Sequence, residues 1–510
     1  MRIVFLSLVM CLTGASHAMP RIDYKTLREQ ILKYEQRSML GANLTLNVVE
    51  QAANDILMKE KWKEVEAGFK TPKKFAPGRN FITAKKDIDE SEVFQLIRKM
   101  PKGAVLHAHD TALASTNYIY NNITFRDNLY VCETNETFKL KFFEEPDEEC
   151  EWELLKKVRQ QPLRATRVNK EIRNRLSMLC DNPAEAYSDL DKAWTKFSDI
   201  FEFVHPILTF KPIYDDYFRA VLEQLYEDNV MYLEVRSTLP VLYDFNGTEY
   251  SAKDTADLLK NVSERFMKDH PDFVGVKLIY APKRFVDQRQ AEEYIKILKE
   301  LQELYPNFIA GFDLVGQEDK GKTLLYFSHI LENVALDTNF FFHAGETNWY
   351  GVSTDENLVD AILLNTKRIG HGYALVNHPV LLEMTRQMNI AIEVNPISNQ
   401  VLKLVDDMRN HAARRLFAEG YPVVISNDDP SFWGARALSY DFYEAFVGIM
   451  SKHADLKALK QLAINSLVYS SLSAEDKEAA LSLWEHKWDN YVNDVAQGGR
   501  RTSSTSTDKP

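Results

Sequence analysis

Several features that mark common protein classes are missing from this chain of 510 residues. It has no long run of lysine and arginine, and its formal net charge is −12. This balance disfavours a nucleic-acid partner, because phosphate binding needs clustered basic side chains. Beyond the N-terminus, the chain has no uninterrupted apolar run of about eighteen residues, roughly the length that spans a bilayer as a helix. We therefore expect no membrane span in the mature chain, and a small neutral ligand.

The N-terminal residues have the pattern of a secretory leader. Arg2 provides a positive charge, residues 3–12 are almost wholly apolar, and Ser16-His17-Ala18 resembles a small-residue cleavage site. The apolar segment is too short to cross a bilayer of ~30 Å, so we predict a signal peptide over residues 1–18 and a secreted, extracellular protein. Asn-x-Ser/Thr glycosylation sequons agree with export and begin at Asn43, Asn122, Asn135, Asn246 and Asn261.

Cysteine is scarce, with four residues in the whole chain, of which three would remain after export. Cys132 and Cys150 flank a polar, glutamate-rich stretch. In an oxidising compartment these two form the expected disulfide. Cys180 follows apolar residues and is expected to be a buried thiol, with a Cys150–Cys180 bridge as the alternative.

Eight short apolar runs, rich in β-branched residues, alternate with amphipathic stretches from residue 104 onward. Strands that are buried on both faces have this composition. Strands that alternate with helices predict an α/β fold, a closed (β/α)8 TIM barrel. An open doubly wound sheet is the alternative, but no glycine-rich phosphate loop follows any run. The predicted strands are 104–109, 230–236, 274–280, 308–314, 340–345, 368–373, 390–395 and 423–427, and helical spacing marks 217–226, 256–266, 294–304 and 358–364.

The barrel is predicted to occupy residues 101–496. Residues 19–100 have apolar side chains at helical spacing and predict an N-terminal helical arm, or else a piece of the main domain. About 120 residues separate the first two predicted strands, far more than a crossover needs, so residues 117–180 are predicted to be an inserted domain. Three helical stretches should follow the eighth strand, and the glycine- and serine-rich residues 497–510 should form a disordered tail.

Polar residues cluster where four of the predicted strands end. In a parallel barrel the carboxyl ends of all strands fall on one rim, where barrel enzymes carry their active sites. The four ends read His107-Ala108-His109-Asp110, His343-Ala344-Gly345-Glu346, Gly370-His371-Gly372 and Asn427-Asp428-Asp429-Pro430.

Three imidazoles and one carboxylate of this rim predict a metal site. His107 and His109 are two residues apart in a strand, so both side chains point to the same side and can reach one ion. Taken singly, His343 could be a core histidine and Asp428 a turn cap. Together the four groups suit Zn²⁺ with an open coordination position. Zinc lowers the pKa of bound water to about 7, so a hydrolytic reaction is expected.

Glu346, His371 and Asp429 complete the predicted catalytic set. Glu346 lies three residues beyond His343, so it can point into the same cavity and transfer a proton; a surface glutamate is the alternative. His371 is flanked by two glycines, which leave room for a group to pack against its ring. Asp429 could hold a substrate nitrogen or orient the nucleophile.

In their order along the chain, His-x-His, His-Ala-Gly-Glu, Gly-His-Gly and Ser-Asn-Asp-Asp-Pro resemble the adenosine/AMP deaminase family. The segments MPKGAVLHAHD, FFHAGETNW and NTKRIGHGYAL, with the leader and the insert, resemble its secreted adenosine deaminase growth factor subfamily, of the adenosine deaminase 2 type. The resemblance covers essentially the whole mature chain. It implies a barrel of the metal-dependent hydrolase type and one Zn²⁺ per subunit, held by His107, His109, His343 and Asp428.

The resemblance also implies hydrolytic deamination of adenosine, or 2′-deoxyadenosine, to inosine, or 2′-deoxyinosine, and ammonia. Glu346 would protonate purine N1 as hydroxide attacks C6, and His371 would act as base or orienting group for the attacking water. Asp429 would contact the purine. The remaining substrate-binding roles would fall to Asp110 at the ribose, Trp194 in the nucleoside pocket and the Gly316 N–H at the purine.

Partners follow from the same resemblance, which implies a homodimer formed largely by the N-terminal arm. The insert would have a growth-factor role and bind a cell-surface receptor or glycan. At Lys283 the resemblance leads us to expect a histidine near the ribose, so the lysine leaves ribose affinity open.

Other functions are compatible with parts of the pattern. Many other metal-dependent amidohydrolases use a bridging lysine on a middle strand, whereas Asp313 and Gly316 stand at the end of the fourth strand here. An AMP substrate would need a basic phosphate clamp, but the rim offers acidic and neutral groups. A receptor-binding growth factor that uses the barrel as scaffold is disfavoured by the intact zinc set, although both functions could coexist.

Overall fold

All eight predicted barrel strands are present in the computed structural model, which describes residues 23–134 and 136–504. Every residue of these strands except Lys277 is buried, as their apolar composition predicts. Seven of them are shorter than the predicted runs, because some positions of those runs pair only through isolated bridges, and β2 is one residue longer. The strands are β1 (Gly103–Val105), β2 (Val230–Ser237), β3 (Gly275–Tyr280), β4 (Ile309–Phe312), β5 (His343–Ala344), β6 (Arg368–His371), β7 (Ala391–Val394) and β8 (Val423–Ile425).

The strands close into a parallel barrel. β1 to β4 form one parallel ladder in chain order, and β5 to β8 form a second. Parallel bridges join the two ladders at both seams, Phe312 to Phe340 and Ala108 to Asp428. The fold is therefore the predicted TIM barrel, and the open doubly wound sheet is excluded.

Helices cover the outside of the barrel, and the four that helical spacing predicted are all present. Local capping explains where two of them begin: Ser251 and Asp254 form a capping box, and the Asp287 side chain accepts from the Gln290 N–H. Lys211–Glu227 precedes β2. The helices that follow β2 to β7 include, in chain order, Ala252–Asp269, Gln288–Leu304, Leu324–Glu332, Asn357–Leu363, Pro379–Gln387 and Ala413–Ala418.

The predicted insert contains a small antiparallel sheet and the helix Pro162–Leu176. Its strands are Phe138–Phe142, Leu129–Glu133 in the centre, and Trp152–Leu154. The predicted disulfide between Cys132 and Cys150 is present, with the Cα atoms 6.1 Å apart, and Cys180 is a free, half-buried thiol. The sheet rests on the helix Leu190–Leu208, where Phe138 faces Phe203.

The N-terminal segment divides into an exposed helix and helices that join the main core. Tyr24–Ser38 has no buried side chain. Val48–Lys70, Phe81–Asp89 and Glu92–Lys99 contribute buried side chains, such as Leu57, to the same hydrophobic core as the barrel.

Three helical stretches follow β8, as predicted: Ser439–Tyr443 with its π-helical continuation Glu444–Ile449, then Leu456–Val468, then Ala474–Ser504. The last helix contradicts the prediction of a disordered tail from residue 497, since it continues to Ser504. Residues 497–504 contain no proline, so nothing in them removes a backbone donor from the helix. The predicted signal peptide, sequon Asn135 and residues 505–510 lie outside the described residues. Within the described part of the chain, no helix combines the length and apolarity needed to cross a bilayer.

Candidate metal and catalytic site

Strand ends bring the four predicted metal ligands together at the rim. Asp428 Oδ1 lies 3.0 Å from His109 Nε2 and 3.3 Å from His107 Nε2. The rings of His107 and His343 are 4.4 Å apart between centroids. The ligand atoms of His107, His343, His371 and Asp428 all lie within 4.8 Å of one another, and those of His109, Asp428 and Asp429 form a second such group. Asp428 belongs to both groups, so the cluster could hold a metal ion.

Two buried carboxylates stand behind these imidazoles. Glu393 Oε2 lies 2.8 Å from His107 Nδ1, and Asp313 Oδ2 lies 2.6 Å from His343 Nδ1. The guanidinium of Arg236 donates to both carboxylates over 2.8 Å. Histidines that bind metals usually donate their other N–H to such a carboxylate, which fixes the tautomer. His107 and His343 are thereby set to present Nε2 lone pairs to the centre of the site.

The protonation states also suit a metal. Burial works to raise the pKa of Asp428, but the adjacent His107, His109 and His371 side chains hold that pKa well below its ordinary value. Burial lowers the pKa of His343 to about 3. Metal binding requires neutral histidines and an ionised carboxylate, which is the state these shifts favour.

Two atoms of the cluster lack the partners that buried polar atoms normally have. Among the described residues, neither His107 Nε2 nor Asp428 Oδ1 has a hydrogen-bond partner, although both are buried. A cation between them would satisfy both atoms. The residues present therefore fit a divalent metal ion.

Backbone conformation at the rim is unusual at two of these residues. His371 and Asp428 have φ angles of +60° and +56°, in the left-handed region that few residues other than glycine adopt. The Asp428 N–H donates to the His107 carbonyl, and the Asp428 carbonyl accepts from the His109 N–H. These bonds hold the strained turn after β8 against the end of β1, and such strain is typical of functional sites.

Glu346 is buried beside the cluster, with its Oε1 3.6 Å from His371 Nδ1. Burial, together with the negative charges of Asp428 and Glu318, raises the pKa of Glu346 well above its ordinary value. Glu318 accepts hydrogen bonds from the backbone N–H groups of Glu346 and Gly345, at 2.6 and 3.2 Å. The loop that carries Glu346 is thus anchored, and the raised pKa favours the protonated form of its carboxyl group.

Asp429 and Asp110 are buried near the cluster with different surroundings. Burial and the adjacent Asp428 charge raise the pKa of Asp429 well above its ordinary value, and its Oδ1 has no partner among the described residues. Asp110 instead accepts from Tyr214 and Ser237 at Oδ2 and from the Thr111 N–H at Oδ1. A carboxylate has about four acceptor positions, so Asp110 can accept one further donor.

The two remaining predicted substrate contacts lie on other elements. Trp194, on the helix Leu190–Leu208, packs edge-on against Phe197, which in turn contacts Phe432 close to Asp429. Gly316 has a φ of +107°, and a Cβ atom there would lie 2.6 Å from the Phe285 ring. A side chain at position 316 would therefore be excluded both by the backbone conformation and by the close ring.

Gly370 lies close to the ring of a predicted metal ligand. A Cβ atom at this position would lie 3.0 Å from His107 Cε1. The missing side chain therefore makes room for the His107 ring.

Sequence reasoning missed Glu393 and Arg236, and gave Asp313 no role. The sequence does mark two of these residues, because a charged residue inside an apolar run is unusual: Arg236 lies in the run 230–236 and Glu393 in the run 390–395. Sequence reasoning also missed Asn399, which contacts His371, and His411, which contacts Asn399. No local pattern marks these two residues.

The comparisons with known proteins agree with this geometry. The family model described as adenosine deaminase matches residues 173–486, and one described as adenosine/AMP deaminase N-terminal matches residues 4–97. An adenosine deaminase of Phlebotomus duboscqi is 44% identical over 96% of this chain and 96% of its own. Human adenosine deaminase 2 is 39% identical over 92% of this chain and 93% of its own.

Solved structures share the barrel at low sequence identity. The adenine deaminase of Arthrobacter aurescens has a TM-score of 0.54 and 20% identity, over 76% of this chain and 98% of its own. A Burkhoderia amidohydrolase solved with bound Zn has a TM-score of 0.54 and 17% identity, over 79% of this chain and 95% of its own. At these identities the likeness establishes the fold alone.

Proposed function

Because this chain belongs to the adenosine deaminase family, in its adenosine deaminase 2 branch, we propose that it hydrolyses adenosine to inosine and ammonia. One observation carries the proposal: the metal-binding cluster around Asp428 lies beside Glu346, a buried carboxyl group whose pKa is raised well above its ordinary value. A cation-binding cluster next to a carboxyl group that favours its protonated form suits hydrolysis at a carbon next to a ring nitrogen. 2′-Deoxyadenosine has the same base and is the second proposed substrate.

The cofactor in this proposal is one Zn²⁺ per subunit, held by His107, His109, His343 and Asp428. Three imidazoles and a carboxylate are a donor set that zinc accepts. When bound, zinc would make a hydroxide nucleophile available at neutral pH. His371 and Asp429 are not metal ligands in this proposal. His371 is available to contact the nucleophile, and Asp429 to contact the substrate.

Glu346 is the proposed proton donor to purine N1. Protonation of N1 withdraws electrons from C6, so C6 becomes easier to attack. The raised pKa of Glu346 favours the protonated form that can donate, and Glu318 fixes the backbone of the Glu346 loop.

Substrate contacts are proposed for Asp429 and the Gly316 N–H at the purine, and for Asp110 and Trp194 at the ribose side. The unpartnered Asp429 Oδ1 and the spare acceptor position of Asp110 support these roles. A nucleoside is preferred to a nucleotide, because a phosphate would meet the buried acids Asp110, Glu346 and Asp429.

Secretion, glycosylation, dimerisation through residues 19–100 and a receptor-binding role for residues 117–180 complete the proposal. The disulfide in the insert favours an oxidising compartment. The described sequon asparagines, Asn43, Asn122, Asn246 and Asn261, are all exposed. A growth factor that needs no catalysis is the second candidate, favoured by the disulfide-bonded sheet outside the barrel.

The direct test follows the loss of adenosine absorbance by the purified protein, with and without a zinc chelator. We expect turnover without chelator, loss of turnover after chelation, and recovery when Zn²⁺ is added back. Failure of the untreated, zinc-loaded protein to release ammonia from adenosine would contradict the proposed function.

A variant tests the proton donor. Glu346→Gln should retain bound zinc and the folded structure but lose about 10² to 10⁴-fold in kcat, because the amide cannot donate a proton as an acid. Glu356→Gln, an exposed glutamate ten residues away, is the matched control and should behave as wild type. Growth stimulation by Glu346→Gln at wild-type strength would show that receptor binding acts independently of deamination.

A further inference from the structure

Three buried side chains form a line that leads from His371 to the main chain. Asn399 Nδ2 lies 3.0 Å from His371 Nδ1, and Asn399 Oδ1 lies 3.0 Å from His411 Nε2. At the far end, the Ala413 backbone N–H donates to His411 Nδ1 over 3.0 Å. The three side chains are at most 3% exposed, so water does not compete for these hydrogen bonds.

The backbone N–H of Ala413 determines which atoms donate and which accept along the whole line of hydrogen bonds. A peptide N–H is always a donor, so His411 Nδ1 must accept and carries no proton. A neutral imidazole has one N–H, which places the His411 proton on Nε2, where it is donated to Asn399 Oδ1. The amide NH₂ of Asn399 then donates to His371 Nδ1, which leaves the His371 proton on Nε2.

The opposite direction is excluded by the same amide. If the Asn399 amide were reversed, its NH₂ would face His411 Nε2, and His411 would have to accept at both nitrogens, which a neutral imidazole cannot do. A cationic His411 would have N–H groups at both nitrogens and could not accept from Ala413. Burial lowers the pKa of His411 to about 3, in agreement with a neutral ring.

We infer that Asn399 and His411 are positioning residues that hold His371 as its Nε2–H tautomer. His371 Nε2 lies 3.7 Å from Asp428 Oδ2, so its N–H faces the metal-binding cluster. An Nε2 that already carries a proton has no lone pair with which to accept another. Of the two roles open to His371, this tautomer selects the hydrogen-bond donor that orients the attacking oxygen, and excludes the general base. The inference rests on the proposed deamination only for this last step.

Nitrogen NMR tests the tautomer directly. Full-length, zinc-loaded protein is labelled with ¹⁵N in the histidine rings, and long-range ¹⁵N–¹H spectra distinguish protonated from unprotonated ring nitrogens. His371→Gln identifies the signals of His371 by their disappearance. We expect an unprotonated Nδ1 and a protonated Nε2. A proton on Nδ1 in the wild-type protein overturns the inference without any measurement of activity.

Asn399→Asp separates the donor role from simple structural support. Its carboxylate still accepts from His411 Nε2 but presents an oxygen, not an NH₂ group, to His371 Nδ1. We expect the His371 proton to move to Nδ1, and kcat to fall by about 10²-fold, a typical loss for one preorganised donor. KM should change little, since the lost interaction orients the nucleophile and not the substrate.

The matched control is Asn54→Asp, the same change at a buried asparagine whose Oδ1 accepts the Leu456 N–H. The carboxylate retains that bond, so the His371 spectrum and kcat should stay at their wild-type values. Retention of the Nε2–H tautomer and of wild-type kcat in Asn399→Asp would overturn the positioning role.

If Asn399→Asp does not fold, His411→Phe provides a second variant. It removes the hydrogen bond between His411 and Asn399 without a new charge, and should let His371 populate both tautomers. An unchanged single tautomer in His411→Phe would equally overturn the role. A wild-type protein without deaminase activity would contradict the proposed function, while the spectrum would still decide the tautomer.

Discussion

At the scale of single residues, the carboxylates behind the imidazoles determine which nitrogen atoms are available to a metal. Asp313 has a fixed orientation, because its Oδ1 accepts the backbone N–H groups of Leu314 and His343 at 2.7 and 2.9 Å. Its Oδ2 is thereby directed to His343 Nδ1 and Arg236. Burial opposes ionisation of Asp313, but His343 and Arg236 hold its pKa below the ordinary value.

This fixed orientation predicts the effect of Asp313→Asn. The two backbone N–H groups will keep the amide oxygen on their side, so the NH₂ group will face His343 Nδ1. His343 must then accept at Nδ1 and carry its proton on Nε2, the atom needed as ligand. We expect zinc affinity, measured by competition with a chromophoric chelator, to fall by at least about 10 to 100-fold.

Asp355→Asn provides the matched control for that change. Asp355 is also buried, accepts the backbone N–H groups of Gly351 and Val352, and faces a histidine, His378, at 2.9 Å. His378 is outside the metal-binding cluster. Zinc affinity should therefore be unchanged in Asp355→Asn; equal losses in the two variants would mean that any buried Asp–His pair has the same effect.

At the scale of elements, the insert is a small unit whose sheet has three strands of three to five residues. Such a sheet has little core of its own, so packing on the helix Leu190–Leu208 and the disulfide must hold it. The double variant Cys132→Ser, Cys150→Ser removes a crosslink between residues 18 positions apart. A loop of this size is stabilised by about 3 kcal/mol in the chain-entropy model.

We expect limited proteolysis to cleave the double variant inside the insert much faster than it cleaves the wild-type protein. Zinc content and deaminase turnover should remain close to wild type, because the strand ends that form the site lie outside the insert. Cys180→Ser changes the free cysteine and should leave the cleavage rate unaltered. Loss of bound zinc in the double variant would contradict this separation of insert and site.

At the scale of the whole molecule, Arg236 links strands on opposite sides of the barrel interior. From β2 it donates to Asp313 and Glu393, and also to the carbonyls of Leu106 and Phe341. The side chain is fully buried. Removal of one partner from a buried ionic network leaves other charges uncompensated, which typically costs about 3–5 kcal/mol.

Arg236→Gln should therefore lower the free energy of unfolding in urea by about 3–5 kcal/mol. Arg265→Gln is the matched control, because Arg265 pairs with Asp215 on the surface, where such pairs contribute roughly 0–1 kcal/mol. Similar losses in the two variants would mean that burial of the Arg236 network has no special effect on stability.

Much of the fold and part of the site could be predicted from the sequence. Apolar runs located all eight strands, because a strand buried on both faces must be apolar along its length. His107, His109, His343 and Asp428 could be placed on one rim, since each stands at or near the carboxyl end of such a run. Glu393 and Arg236 were missed, because inside a run they look like interruptions and only their partners show their role.

The sequence by itself determined which elements form, and that polar groups stand at their carboxyl ends, since the period of a strand and the composition of its faces are local properties. The tertiary structure alone decided which nitrogen of each histidine faces the centre of the site. That choice depends on hydrogen bonds to Asp313 and Glu393, which accept, and from Asn399, which donates; these residues lie 28 to 286 positions away along the chain from the histidines they contact. Closure of the barrel brings these groups into contact, and no pattern in a short segment can encode the direction of a hydrogen bond between distant residues.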